Sequence, residues 1–341
     1  MHQSQDHHRR ESQNIQTKPF TASDLPIDEH GRVYHLQITP EQLAPDIIIV
    51  GDPGRAQVIA NEFLSDLEVT HEHRGLVTAT GISTLSGHPA TLITPTKTTV
   101  TTSGMGTPSL EIVLQELQAL NEIDFTTRIR KEHAPALRIV RVGTSGGLQA
   151  STAIGTPIIT SYAIGMDNAG HFYEAPFSDP DSERLESELN EVLTRATPKG
   201  YRFRGKIYPY VSQVHPKVVG ALQAAAEKLD IDVKTGLTVS NSGFFAAQGR
   251  DISRLKPTIA DIDQVFAQWD PQLDGQRVEN MEMESSFLSH FLGGLGYWSG
   301  AICPAIANRR DDTFDHNYQD AVRNSTNIAL LALSMLRKEH P

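Results

Sequence analysis

At 341 residues the chain is long enough to bury one substantial core, and its 38% apolar and 21% charged residues are those of an ordinary soluble globule. Thirty Lys and Arg against 41 Asp and Glu leave a net charge of -11, which argues against a nucleic-acid or anionic-membrane surface and makes any cluster of arginines conspicuous. The single cysteine, Cys303, permits no internal disulfide, no apolar run approaches a membrane span, and Met1 to Gln16 lacks the apolar stretch of a secretory leader; the expected location is the cytoplasm.

Residues 1–20, rich in Gln, His and Ser, read as a disordered tail, and 21–341 as a single domain whose order begins near Val33-Tyr34-His35-Leu36. His2, His7 and His8 read as solvated tail, and His35 taken alone as a structural histidine. Ile47-Ile48-Ile49-Val50 predicts a buried strand. It stops at Gly51-Asp52-Pro53-Gly54-Arg55, where Asp52 suits a helix cap and Pro53 the first helical position. Strand, glycine turn and helix start together form a common anion site. Arg55 strengthens that reading, because a cation there opposes the helix dipole; a surface arginine on an ordinary connection is the alternative. His71 and His73 alternate, but no third ligand accompanies them, so no metal site is expected. Thr107 reads as an N-cap with Pro108 behind it, followed by a stripe of Leu110, Val113, Leu114 and Leu117. Gly104-Met105-Gly106 lacks the third glycine and the acidic partner of a dinucleotide fingerprint.

Leu137 to Val142 is the next strand, ending on Gly143. Arg141 shares a face with Leu137 and Ile139, and a buried cation needs a partner. That partner is either a bound anion or a protein carboxylate. Thr144-Ser145-Gly146-Gly147 then offers hydroxyls and unhindered N–H groups in a glycine turn. Further on, Glu183 to Arg195 reads as an amphipathic helix, Pro216 opens another, and Thr235 to Ser240 reads as a strand. The strand opens into Asn241–Arg250, a loop whose phenylalanines, Gln248 and Arg250 suit a planar heterocycle, unless it is a plain loop anchored by one phenylalanine. Met281 to Leu292 reads as a helix that places Glu284 on the apolar stripe of Phe287, Leu288 and Phe291, and a carboxylate facing a core is paired or functional. Ala301 to Ala307 is a last strand before Asn308-Arg309-Arg310, and a helix with Ile328 and Ala332 on its stripe closes the chain. The repeated strand, turn and helix are the signature of an α/β layer fold.

Seven pieces in order resemble the uridine phosphorylase branch of the nucleoside phosphorylases. They are Gly51-Asp-Pro-Gly-Arg55, His73-Arg74, Ser103-Gly-Met-Gly-Thr-Pro, Arg141-Val-Gly-Thr-Ser-Gly-Gly, Phe244-x-x-x-Gln248-x-Arg250, Glu282-Met-Glu284-Ser and Asn308-Arg309. The resemblance runs from about Tyr34 to Leu336 and is thinnest between residues 165 and 235. It implies a three-layer α/β/α sandwich around a mixed central β-sheet. It also implies phosphate held by Gly51, Arg55, Arg141 and Thr144, with Arg74 reaching in from a neighbouring subunit. Ribose would meet Glu282, Met283 and Glu284, and the neighbour's His35. Uracil would meet Phe244, Gln248 and Arg250, with Arg309 supporting that end. Arg141, Thr144, Glu284 and Arg250 would carry the chemistry, with phosphate as co-substrate and no cofactor or metal. A homo-oligomer with shared sites follows, dimer or hexamer. Gly75 replaces the glutamate that binds a monovalent cation in some relatives, so that site is not expected. Ala246-Ala247 stands where Pro-Gly or Glu-Gly is commoner. The rival readings are a phosphorylase of another nucleoside such as a purine, a nucleosidase using water, and a non-catalytic nucleoside-binding regulator.

Overall fold

The β-branched runs at 47–50 and 138–142 become strands here, and the segments opening on Asp52-Pro53, Thr107-Pro108, Asp179-Pro180 and His215-Pro216 become helices. The computed structural model describes residues 18–339, so the expectation of a tail lies outside the described residues for 1–17. Order begins earlier than Val33: the Phe20 N–H donates to the Arg128 carbonyl at 2.8 Å, and Leu25 packs with Ala119 and Ile123. The strands are β1 (Asp46–Val50), β2 (Leu64–His73), β3 (Leu76–Ser83), β4 (Lys97–Thr102), β5 (Ile123–Asp124), β6 (Ile129–Arg130), β7 (Arg138–Val142) and β8 (Ser145–Gly147). They continue with β9 (Pro157–Met166), β10 (Tyr210–Gln213), β11 (Lys234–Asn241), β12 (Val278–Glu282), β13 (Trp298–Asn308) and β14 (Thr313–Phe314). The helices are α1 (Pro53–Phe63), α2 (Thr107–Glu122), α3 (Pro180–Ala196), α4 (Pro216–Lys228), α5 (Ile262–Gln268), α6 (Ser285–Gly294) and α7 (Gln319–Glu339).

All strands but β5 and β6 belong to one mixed sheet of 12, running β10-β9-β11-β12-β8-β13-β7-β1-β4-β3-β2 with β14 beside β13. At its centre β7, β1 and β4 run parallel, with Ile49 opposite Arg141 on one side and Thr101 on the other. Strand alternation then sorts the core. Ile48, Val50, Val140 and Val142 pack with Ala56 and Ile59 of α1, Val218 and Leu222 of α4, and Ile328 of α7. Ile47, Ile49 and Ile139 pack with Leu110 and Leu114 of α2 and Phe287 and Phe291 of α6. The expected three-layer sandwich is therefore the observed one. One feature is additional: β13 also pairs with β9, which closes β9-β11-β12-β8-β13 into a ring. A register shift between Ala305 and Ala307 accompanies the turn of β13 from β7 and β9 toward β8.

Three local expectations are corrected. Met281 to Leu292 is not one helix: Met281 and Glu282 end β12, and α6 starts at Ser285 with Glu284 as its N-cap residue at φ -140°. The cause is Glu282, whose carboxylate accepts the N–H groups of Glu284 (3.1 Å) and Ser285 (3.0 Å), satisfying donors that a helix start leaves open. The N-cap of α2 is Gly106 rather than Thr107, which is already helical. Ser145–Gly147 is not a free turn but a strand paired with β12 and β13.

Candidate active site

The ends of β1, β4 and β7 bring three loops to one level. The Ser103 N–H donates to the Val50 carbonyl at 2.7 Å, and Arg55 Nη1 donates to the Val142 carbonyl at 3.3 Å. Asp52 caps α1 as expected, accepting the Arg55 N–H at 2.8 Å. Two helix N-termini, α1 and α2, thus start beside the end of β7, in the crevice where open parallel sheets bind ligands.

Arg141 stands at the centre and is 3% exposed. It forms an ion pair with Glu284 and lies 3.2 Å from Glu282, while its Nη1 also approaches Cys303 Sγ at 3.2 Å. The sequence left two partners open for this cation, and protein carboxylates are what it meets here. Its Nε is nevertheless buried without a hydrogen-bond partner. Burial pulls the guanidinium down, but the two carboxylates outweigh it and keep Arg141 firmly charged. Gly143 is needed for this geometry, since a Cβ there would overlap the Arg141 guanidinium and come within 2.7 Å of Cys303 Sγ. Burial, and then the proximity of Arg141, lower the pKa of Arg55. Two cations therefore lie near each other, and Thr144 and Gly51, both half-buried, sit just beyond the ends of β7 and β1.

Glu284 is 4% exposed, and its Oε1 accepts the Gly106 N–H at 2.6 Å. Burial pushes its carboxyl up, against the pull of Arg141. Glu282 is held by the Ser240 hydroxyl and the two N–H groups at the start of α6, so it remains committed to the scaffold. Met283 lies between the two acids in sequence, and its Cε comes within 3.9 Å of where a Cβ on Gly106 would stand.

The heterocycle loop joins the same cluster. Gln248 Nε2 donates to the Glu282 carbonyl at 3.4 Å, and Gln248 Oε1 accepts from Arg250 Nη1 at 2.6 Å. The Arg250 guanidinium stacks over Phe244, 3.8 Å from the ring centre. Arg309 donates to the Gln248 and Gly249 carbonyls at 2.7 and 2.8 Å.

His35 and Arg74 stand elsewhere. His35 Nδ1 is 2.7 Å from Glu116 Oε1 on α2. Arg74 is exposed at the β2–β3 turn with its Nη1 3.4 Å from the Tyr34 hydroxyl, and the Tyr34 ring meets both His35 and His73 edge-on. Among the described residues, no hydrogen bond or ion pair ties this patch to Arg141. Nor is any group of three or more His, Cys, Asp or Glu side chains arranged there to hold a metal ion.

Sequence reasoning left three contributors unassigned: Gly106, Ser240 and Cys303. Each reaches the site from a distant strand or helix. Only Gly106 carried a local signal, as the glycine before the Thr-Pro that starts α2.

Arg55 and Arg141 beside parallel strand ends, a carboxylate paired with Arg141 and an amide–guanidinium loop form one cluster of charged and polar groups. The chain belongs to the Phosphorylase superfamily, whose sequence pattern matches residues 45–337. It is similar to the uridine phosphorylase of Treponema pallidum, 31% identical over 309 residues covering 89% of this chain and 93% of that one. It is also similar to the uridine phosphorylase of Thermococcus kodakarensis, 27% identical over 298 residues covering 86% and 84%. Among solved structures, a Trypanosoma brucei nucleoside phosphorylase described as showing uridine phosphorylase activity superposes with a TM-score of 0.78 at 29% identity, over 91% of this chain and 99% of that one.

Proposed function

We propose that this protein is a uridine phosphorylase, converting uridine and inorganic phosphate to uracil and ribose 1-phosphate. The observation that carries the reading is the convergence of Arg55 and Arg141, with Glu284 beside them, on the crevice at the ends of β7, β1 and β4. In this reading Gly51, Arg55, Arg141 and Thr144 hold phosphate. Glu284 accepts ribose hydroxyls, with Met283 packing beside the sugar and Glu282 fixing the backbone that carries both. Phe244 lies against uracil, Gln248 and Arg250 read its edge, and Arg309 holds their loop. Gln248 Oε1, already accepting from Arg250, keeps a second lone pair for the uracil N3–H, and Arg250 can donate to O4.

A phosphate oxygen attacks the anomeric carbon while the bond to N1 of the base breaks, and the bonding pair leaves with the base. The arginines orient the phosphate dianion, whose charge stabilises the cationic sugar. Gln248 and Arg250 stabilise charge on the departing uracil. No resident cofactor enters this scheme. The working unit is a homo-oligomer in the cytoplasm: Tyr34 joins His35 and Arg74 in one patch, which supports their delivery together to a neighbour's phosphate and ribose. The test is uridine turnover with and without phosphate. Ribose 1-phosphate should appear with uracil, and equally fast uracil release in phosphate-free buffer with free ribose would sink the proposal.

A further inference from the structure

The turn that carries Gln248 has little to stiffen it from within. Residues 241–256 contain no proline, and Phe244, Phe245, Ile252 and Leu255 are exposed. One 3-10 turn, Ala246–Gln248, ends on Gly249 in the left-handed region at φ +76°. Arg309 clamps it from outside by donating to two successive carbonyls, those of Gln248 and Gly249. Behind Arg309 stands Asp263 of α5, 4% exposed, whose Oδ1 lies 3.6 Å from Arg309 Nη1 and has no hydrogen-bond partner. Helix α5 is itself fixed: Ile262 and Phe266 pack with Val239 and Met281 under β11 and β12. The fit is close. A Cβ on Gly249 would overlap Asp263 Oδ1 and stand 2.9 Å from Arg309 Nη1.

We propose that Asp263 is a positioning residue for base recognition, acting through Arg309 on the turn that places Gln248 and Arg250. The inference rests on the reading of those two residues as base-binding. Charge adds to the mechanical case. Arg250 and Arg309 repel each other, and the hydrogen-bond partners of Arg250 are neutral, the Phe244 carbonyl and Gln248 Oε1. Asp263 opposes that repulsion, drawing Arg309 onto the carbonyls rather than toward Arg250. Because the clamp lies at the base end, losing it should weaken uridine binding and leave the phosphate end intact.

The experiment compares Asp263→Asn with the wild-type enzyme, measuring KM for uridine and for phosphate separately and the uridine-to-inosine ratio of kcat/KM. A displaced turn should cost roughly tenfold to a hundredfold in kcat/KM for uridine, the scale of a small misplacement, with phosphate KM unchanged and the ratio lowered. Gly249→Ala should give the same signature from the loop side, and Asp263→Glu, which keeps the charge, should recover part of the loss. A folded Asp263→Asn enzyme with wild-type uridine KM overturns the proposal, as does a parallel rise in both KM values. If Asp263→Asn does not fold, Gly249→Ala decides by the same split. Gln248→Ala runs alongside: wild-type uridine KM in that variant refutes base reading itself, whereas a defect there with none in Asp263→Asn refutes only the clamp.

Discussion

Arg141→Met keeps a long side chain and removes the countercharge from two buried acids at once, whose side chains are 1% (Glu282) and 5% (Glu284) exposed. Glu282 retains the Ser240 hydroxyl and two N–H groups. Glu284 retains the Gly106 and Met283 N–H groups but loses its only cation. Stripping one partner from a buried pair costs about 3–5 kcal/mol, a large share of the roughly 5–15 kcal/mol that holds a domain together. The pH dependence then follows. Burial already raises the Glu284 carboxyl, and without Arg141 it rises further. A carboxyl raised in the folded state means that the native form binds the extra proton, so stability is greatest in acid and falls as pH climbs from the unfolded value, 4.5, toward the folded one. Urea unfolding of wild type, Arg141→Met and Arg141→Met/Glu284→Gln at pH 5 and pH 8 tests this. The single variant should recover most of its loss at the lower pH, and the double variant should lose that dependence. A single-variant loss under about 1 kcal/mol at the higher pH, or an equal loss at both, would refute the assignment of Arg141 as the charge that holds Glu284.

Glu284→Gln should fold, but its amide can accept from only one of Gly106 and Arg141 through its oxygen, so ribose binding should weaken by about 1.5–3 kcal/mol; a variant that unfolds would make Glu284 a purely structural partner. Mixed oligomers of Arg74→Ala and Glu284→Gln subunits should regain activity through hybrid sites, and no rescue in verified mixtures would count against sharing. Cys303, whose thiol burial pushes up to about 12, should resist alkylation at pH 8 in the native enzyme and react once urea exposes it. Rapid native labelling would contradict its buried place beside Arg141.

Much of this was legible because local rules and the global fold agree. Asp52-Pro53 caps α1 as its residue types require, and the β-branched runs at 47–50 and 138–142 became central strands. Glu284 shows where local reading stops. Phe287, Leu288 and Phe291 do form the buried face of α6, and their periodicity extends backward in sequence to residue 284. The helix start was set instead by the side chain of Glu282, fixed by Ser240 from a different strand, which no window around residue 284 contains. Asp263 was hidden for the same reason: α5 is a short helix inside a long connection, and its link to Arg309 spans the fold. That two acids together meet Arg141 was likewise invisible, since strand parity tells which face a side chain takes but not what waits there.

The closed ring of strands has a consequence for the birth of the enzyme. Strand β13 is the last long strand made, yet it is inserted between β7 and β8 and also seals β9. A nascent chain that ends before Trp298 already holds Arg141 and Glu284, but it lacks the strand that pairs with β7, β8 and β9 and makes the sheet continuous. Cys303 meets Arg141 across 162 positions of sequence, and Arg309 comes later still. Such late, long-range closure is the slow kind of folding event, with strand edges open to wrong partners while it waits. A ribosome that stalls before this strand therefore releases a chain with most of its helices and an open sheet edge.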